Sequence, residues 1–135
     1  MNEEQKSQEL LQRALQLKEQ SEEIERQLEF VSEQIKELTD FNSNLEVLGE
    51  NEEREMLANI GRGVHMKVSQ EKDEKLFVEV GAGVVVKKTP EEATKIVEKQ
   101  IQKFQEAKLH LTSQLHEHAE EFRKMLKEVE GIKGN

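Results

Sequence analysis

Two glycine-rich turns, GRG at residues 61–63 and GAG at residues 81–83, are the strongest candidates for a ligand site. Each resembles the first half of the fingerprint G-x-G-x-x-G, in which backbone N–H groups at a helix start hold a pyrophosphate. Met66 and Val86 stand where the third glycine would be, and each turn is followed by alternating apolar residues instead of a helix. The residues therefore predict hairpin turns, and no cofactor is expected.

The histidines and carboxylates do not form a recognisable catalytic or metal-binding pattern. His116 and His118 are two residues apart, so they point in different directions on a helix, and His110 lies about two turns earlier. The sequence contains no cysteine, which excludes thiolate nucleophiles and Cys-based metal sites. The carboxylates stand among Lys and Arg on polar helix faces. We expect neither a metal site nor an enzyme.

The composition favours a coiled coil over a compact globule. Of 135 residues, 34% are hydrophobic and 36% are charged, which leaves little material for a large core. The net charge of −9 disfavours nucleic acid as a partner, because phosphate binding needs clustered Lys and Arg. The N-terminus does not resemble a signal peptide, and no apolar run is long enough for a membrane span. We expect a cytoplasmic protein without membrane contact.

The first helix is predicted over residues 3–48, on the order of 65 Å long at 1.5 Å per residue. Its apolar residues alternate at spacings of four and three, which is the heptad pattern of a coiled coil. Ser21 and Asn42 are the polar residues in this seam, and Leu48-Gly49 predicts the helix end. The seam positions are Leu10, Ala14, Leu17, Ser21, Ile24, Leu28, Val31, Ile35, Leu38, Asn42 and Leu45.

The spacing of apolar residues changes to two after a polar link at residues 51–54, which predicts four short strands. The two Gly-x-Gly turns pair them into two β-hairpins in series. One alternating set of residues is predicted to mediate oligomerisation. Its members are Met56, Ala58, Ile60, Val64, Met66, Val68, Leu76, Val78, Val80, Val84 and Val86.

The second helix begins at a clear N-terminal signal. Thr89 is a favourable N-cap, Pro90 suits the first helical position, and Glu92 completes a capping box. Heptad spacing then continues to about Glu130, before Gly131 and Gly134. His118 occupies a seam position, where its protonation at low pH is expected to loosen the coiled coil.

Two helices of similar length can bury both seams by packing antiparallel as an intramolecular hairpin. The fold class is therefore α+β and mainly α, with residues 1–48 and 89–135 as coiled-coil helices and residues 49–88 as an oligomerisation insert. Four strands alone leave apolar faces and strand edges uncovered. We expect an obligate oligomer in which the strands close a β-barrel between subunits.

Apolar residues in excess of the seam gather near both chain ends, at the predicted tip of the coiled coil. Leu11 and Leu15 in the first helix and Leu126 in the second lie outside the heptad positions. Such residues can contact irregular apolar surfaces, although packing within the seam is an equally good interpretation for any one of them. The predicted tip set is Leu10, Leu11, Ala14, Leu15, Phe122, Met125, Leu126, Val129 and Ile132.

The stretches GRGVHMKV and LFVEVGAGVVVKKTPEEA resemble the prefoldin family, and within it the archaeal-type alpha class of subunits with two hairpins. The resemblance covers nearly the whole chain, and its most specific part is the run from Val80 to Lys88. It implies a hexamer of two alpha and four beta subunits joined through a double β-barrel. It also implies ATP-independent holding of unfolded polypeptides at the coiled-coil tips and their delivery to a group II chaperonin.

Two other interpretations are compatible with the residues. A coiled-coil scaffold or tether would share the same helices, but it would bind specific partners instead of unfolded chains. A homo-oligomer or filament of this chain alone is also possible, because closing a barrel does not by itself require a second type of subunit. Client identity is not encoded in any motif.

Overall fold

The computed structural model describes residues 2–50, 55–71 and 74–133. The elements in chain order are α1 (Glu3–Glu50), β1 (Glu55–Gly61), β2 (Val64–Ser69), β3 (Leu76–Gly81), β4 (Val84–Lys88) and α2 (Pro90–Lys133). This order confirms the mainly helical α+β class. The predicted polar link at residues 51–54 and the predicted stop at Gly134 lie outside the described residues.

The first of two compact units comprises residues 1–35 and 103–135. Its core contains buried Ile24 and Val31 of α1 packed with Leu111 of α2. Arg13, early in α1, forms an ion pair of 2.9 Å with Glu121, late in α2. The helices of this unit are therefore antiparallel. Burial of the apolar seam positions confirms the heptad assignment.

The second unit comprises residues 36–102. Leu45 of α1 and Ala93 and Val97 of α2 form its buried core, against which further apolar residues of both helices pack. Leu76 and Val78 of β3 pack against the same cluster. The hairpin of β3 and β4 is thus seated on the helices within the chain.

Both helices extend beyond the predicted ends. α1 passes through Gly49 to Glu50, and α2 passes through Gly131 to Lys133. The predictions that Gly49 and Gly131 end the helices are therefore wrong by a few residues. A glycine inside a helix costs only about 1 kcal/mol relative to alanine, which neighbouring packing and hydrogen bonds can offset.

The predicted capping box of α2 is confirmed by two reciprocal hydrogen bonds. The Glu92 N–H donates to Thr89 Oγ1 at 3.1 Å, and the Thr89 N–H donates to Glu92 Oε1 at 3.1 Å. Donation from the Thr89 backbone is the main reason that the pKa of Glu92 lies below its usual value. The cap begins α2 directly after β4.

Thr89→Ala is expected to lower the free energy of unfolding by about 1 kcal/mol, because it leaves a helix N–H without its cap. Urea denaturation followed by circular dichroism measures this. Thr112→Ala is the matched control, since the Thr112 hydroxyl only donates to the Lys108 carbonyl within α2. An equal loss in both variants would contradict a capping role for Thr89.

The same cap gives a pH dependence whose sign follows from the lowered pKa of Glu92. A carboxylate with a lowered pKa in the folded state stabilises the fold above its unfolded pKa. That contribution is lost as the pH falls below the usual range of a glutamate and through the lower folded pKa. The stabilities of the wild type and Glu92→Gln should therefore converge at the acid end of a pH titration, and an undiminished difference there would contradict the assignment.

The strands form two antiparallel hairpins, as predicted. β1 pairs with β2, with Ala58 opposite Met66, and β3 pairs with β4, with Val78 opposite Val86. Within the described residues these are two separate two-stranded sheets. The β-barrel between subunits therefore stays a prediction about the assembly.

Each hairpin closes through a two-residue turn preceded by a glycine bulge. Arg62 and Gly63 have φ values of 50° and 78°, and Ala82 and Gly83 have 50° and 76°. Positive φ at both turn residues matches the strand twist. The pairing register shifts between Asn59 and Gly61, and again between Glu79 and Gly81. The strict alternation predicted up to Ile60 and Val80 is therefore wrong at those two residues.

The two hairpins are a structural repeat with an offset of 20 residues. Gly61 and Gly81 have φ values of 125° and 135°, and the register shift stands at the same place in both hairpins. Met56 corresponds to Leu76, and Ala58 corresponds to Val78. The hairpins thus share one backbone design, although only Leu76 and Val78 are seated on the helical core of the second unit.

Candidate assembly and client-binding surfaces

Four residues near the ends of the helices form an exposed apolar set, which we call the terminal surface. Leu11 and Leu15 are 62% and 53% exposed on α1, and Phe122 and Leu126 are 40% and 49% exposed on α2. Each pair is four residues apart and so shares one helix face. The ion pair between Arg13 and Glu121 places these segments beside each other in the first unit.

The other predicted tip residues are less accessible. Met125 is only 8% exposed and belongs to the packed seam. Leu10, Ala14, Val129 and Ile132 are half-buried. Three of the four residues of the terminal surface, Leu11, Leu15 and Leu126, thus lie outside the heptad, whereas Phe122 is a partly exposed heptad position.

The hairpin of β3 and β4 presents two different faces. Its inner face, with Leu76 and Val78, contacts the helical core, so part of the predicted oligomerisation set is already covered within the chain. On the outer face Phe77 is 72% exposed, and Lys87 Nζ lies 5.5 Å from its ring centroid. This outer face is available to a partner. Val80 and Val84, beside the turn, are also more than half exposed.

The hairpin of β1 and β2 is exposed on most of its surface. Leu57, Ile60, Val64 and Met66 are all more than half exposed, whereas Met56, Ala58 and Val68 are half-buried. A two-stranded hairpin is marginally stable alone, since it buries little apolar area. We therefore expect its apolar faces to be covered by another chain on assembly.

Sequence reasoning missed the outer-face residues Leu57, Phe77 and Val85, because it selected one alternating set for assembly. The signal that could have found them is the repeat, since Leu57 and Phe77 occupy equivalent positions in the two hairpins. Both faces of each hairpin carry large apolar residues. Such a pattern is typical of strands that are covered on both sides.

A groove of about 640 Å³ lies in the second unit between the helices and β3. Phe41, Leu45 and Leu48 of α1 and Ile96 and Val97 of α2 contribute to its walls. Its remaining lining residues are Leu76, Phe77, Val78, Glu79, Val80, Ala93 and Gln100. The groove is thus mainly apolar, and it runs beside β3.

Two polar seam residues remain without full hydrogen bonding among the described residues. Oδ1 of Asn42 and Nδ1 of His118 are buried and lack a hydrogen-bond partner there. Polar residues at heptad positions cost stability and often fix register. The predicted loosening of the seam on His118 protonation stays a prediction.

Ionisable groups with a shifted pKa lie on exposed helix surface. Hydrogen bonding to Arg26 lowers the pKa of Glu23 and raises that of Arg26, since their ion pair spans 2.6 Å. No group of three or more potential metal ligands was found among the described residues. None of the described helices is long and apolar enough to cross a membrane.

Comparison with known proteins gives three findings. The family model "Prefoldin subunit" matches residues 17–134. "Prefoldin subunit alpha" of Archaeoglobus fulgidus is 36% identical over 63 residues, which is 47% of this chain and 46% of that protein. A chain in the cryo-EM structure of filamentous PFD from Methanocaldococcus jannaschii has a TM-score of 0.71 at 23% identity, covering 83% of this chain and 93% of that one. The last likeness concerns the fold.

Proposed function

The chain belongs to the prefoldin family, and on this premise we propose that it is an alpha-type subunit of an ATP-independent holding chaperone. It binds non-native polypeptides through the terminal surface and assembles with other subunits through its hairpins. The proposed partners are beta-type subunits in a hexamer of two alpha and four beta chains. The complex works in the cytoplasm and delivers its clients to a group II chaperonin.

The observation that carries the proposal is the exposed terminal surface. Leu11, Leu15 and Leu126 are not used by the seam and remain about half exposed on one stretch of the coiled coil. Exposed apolar residues that do not line a pocket can bind many sequences weakly. Several such surfaces in one oligomer would bind an unfolded chain with avidity.

Binding of this kind does not need nucleotide. The glycine-rich residues 61–63 and 81–83 form hairpin turns between strands, and a Cβ added at Gly61 or Gly81 would meet nothing within 4 Å. The positive φ values of these glycines are explained by the turns themselves. In the proposed function the binding energy comes from apolar contact.

Suppression of aggregation tests the proposal. A denatured model protein is diluted into buffer without nucleotide, alone or with the assembled complex, and light scattering is followed. We expect the complex to slow aggregation, whereas an unrelated two-helix coiled coil at equal concentration does not. Equal aggregation with and without the complex would refute the holding function and favour the scaffold interpretation.

A further inference from the structure

We infer that Met66, on β2, is a site of reversible oxidation by hydrogen peroxide and that its oxidation keeps the chain out of the assembled complex. The Met66 sulfur takes one oxygen atom as the peroxide O–O bond breaks, and the other oxygen leaves as water. The thioether is oxidised by two electrons to the sulfoxide, and the peroxide is reduced. The location of the site follows from the single chain, whereas its effect rests on the proposed assembly through the hairpins.

The composition directs peroxide to the methionines. The sequence contains no cysteine, no tryptophan and no tyrosine, but it contains four methionines. A cysteine thiolate is the side chain that peroxide ordinarily oxidises first, and none is present to consume it within this chain. The methionine thioethers are therefore the side chains of this protein that peroxide oxidises most readily.

Accessibility selects one of the methionines. The structure describes the side chains of three: Met66 is 56% exposed, Met56 is half-buried and Met125 is only 8% exposed. Peroxide has to reach the sulfur atom, and Met125 is packed in the seam between the helices. Among these three residues, Met66 is thus expected to be oxidised first.

The side chains around Met66 are apolar. Ala58 lies directly opposite Met66, and Met56 lies opposite Val68 in the same hairpin. Val64 and Val68 are two residues from Met66 along β2, so they share its face. None of the side chains of these four described neighbours carries a hydrogen-bond donor. A sulfoxide at position 66 therefore adds a strong acceptor to a face that offers it no side-chain partner.

The opposite face of the hairpin is more polar. Asn59 lies opposite His65, and Lys67 lies opposite Leu57. Because apolar surface gains most from leaving water, burial of the Met66 face contributes more to assembly than burial of this face. Burying a sulfoxide there without a hydrogen bond should weaken association at least about tenfold.

Assembly and oxidation of Met66 should therefore exclude each other. An assembled chain covers this face, and peroxide no longer reaches the sulfur. A chain that is oxidised before assembly stays out of the complex until a methionine sulfoxide reductase restores the thioether. In that reaction the sulfoxide oxygen leaves as water, and two thiols of the reductant form a disulfide. Oxidation of Met66 thus acts on unassembled subunits.

Oxidation rates test the location of the site. The full chain is diluted until native mass spectrometry shows monomers, treated with hydrogen peroxide and digested with trypsin. Cleavage after Arg54, Arg62 and Lys67 places Met56 and Met66 on separate peptides. We expect Met66 to be oxidised at least about tenfold faster than Met125, and also faster than Met56. A rate at Met66 equal to or below that of either residue would overturn the inference.

Reassembly tests the effect of oxidation. Wild type, Met66→Leu and Met125→Leu are each treated with peroxide, freed of it and mixed with untreated beta-type subunits, and each is compared with its own untreated sample. We expect treatment to raise the concentration needed for assembly at least about tenfold in the wild type and in Met125→Leu, but not in Met66→Leu. Methionine sulfoxide reductases A and B with dithiothreitol should restore assembly of the treated wild type.

Unchanged assembly of wild type that carries oxidised Met66 would overturn the inference, as would an equal loss in treated Met66→Leu. Failure of the reductases to restore assembly, or oxidation of Met66 in the complex as fast as in the monomer, would overturn it as well. Failure of the untreated wild type to assemble is a separate result, seen before peroxide is added. It would refute the proposed assembly and, with it, the effect of Met66 oxidation on assembly.

Discussion

Phe77→Asp combined with Val80→Asp is expected to dissociate the assembled protein into monomers. Both side chains are more than half exposed in the single chain and line the β3 groove. Losing their burial and placing two carboxylates in the contact should cost about 4 kcal/mol or more per interface. This weakens association on the order of a thousandfold. Native mass spectrometry and light scattering at micromolar concentration measure the change.

The matched control is Phe30→Asp combined with Leu109→Asp. These residues are 58% and 73% exposed, but they lie on the helices of the first unit. The control variant should assemble normally. Dissociation of both variants, or of neither, would contradict assembly through the hairpins. Circular dichroism confirms that each variant keeps its helices.

Leu11→Ser, Leu15→Ser and Leu126→Ser in one chain are expected to leave the complex assembled but to abolish most of its holding activity. Each leucine leaves about half of its surface exposed in the single chain, and this is the surface proposed to bind a client. Removing one such contact should weaken binding by about 1 kcal/mol. These free-energy losses add over the three residues and over the several chains that bind one client together, so the fold-losses in affinity multiply. The concentration needed to suppress aggregation should rise by at least about tenfold.

Phe30→Ser combined with Leu109→Ser serves as the control for this second experiment. It removes exposed apolar surface elsewhere on the same helices and should leave suppression unchanged. If the two variants lose activity equally, clients bind along the whole coiled coil, and the terminal surface is not their site. If neither loses activity, the site lies elsewhere.

The helices and hairpins were predictable because each has a strong local signal. The 4,3 spacing from Leu10 to Leu45 indicated the buried seam, and Thr89, Pro90 and Glu92 marked the start of α2. The hairpin turns followed from glycines in positions that require positive φ. These features depend on residues close together in the chain.

The remaining features depend on contacts that a local pattern does not contain. The seating of Leu76 and Val78 on Leu45 and Val97 joins three elements, and alternation alone could not show which face of the hairpin would be covered. The burial of Met125 could not be predicted either. Its heptad position is compatible both with packing in the seam and with contacting a client at the tip. The bulge at Gly61 also interrupts the alternation of inward and outward side chains, so Ile60 does not follow the predicted pattern.

Site-specific photo-cross-linking tests most directly whether client binding and assembly use two different surfaces of the chain, the terminal surface and the hairpins. A photoreactive amino acid is placed at Leu11 or at Phe77 in the complex, which is then irradiated with a denatured client. We predict that position 11 cross-links to the client and that position 77 cross-links to another subunit. Client cross-links at position 77 together with none at position 11 would contradict the account.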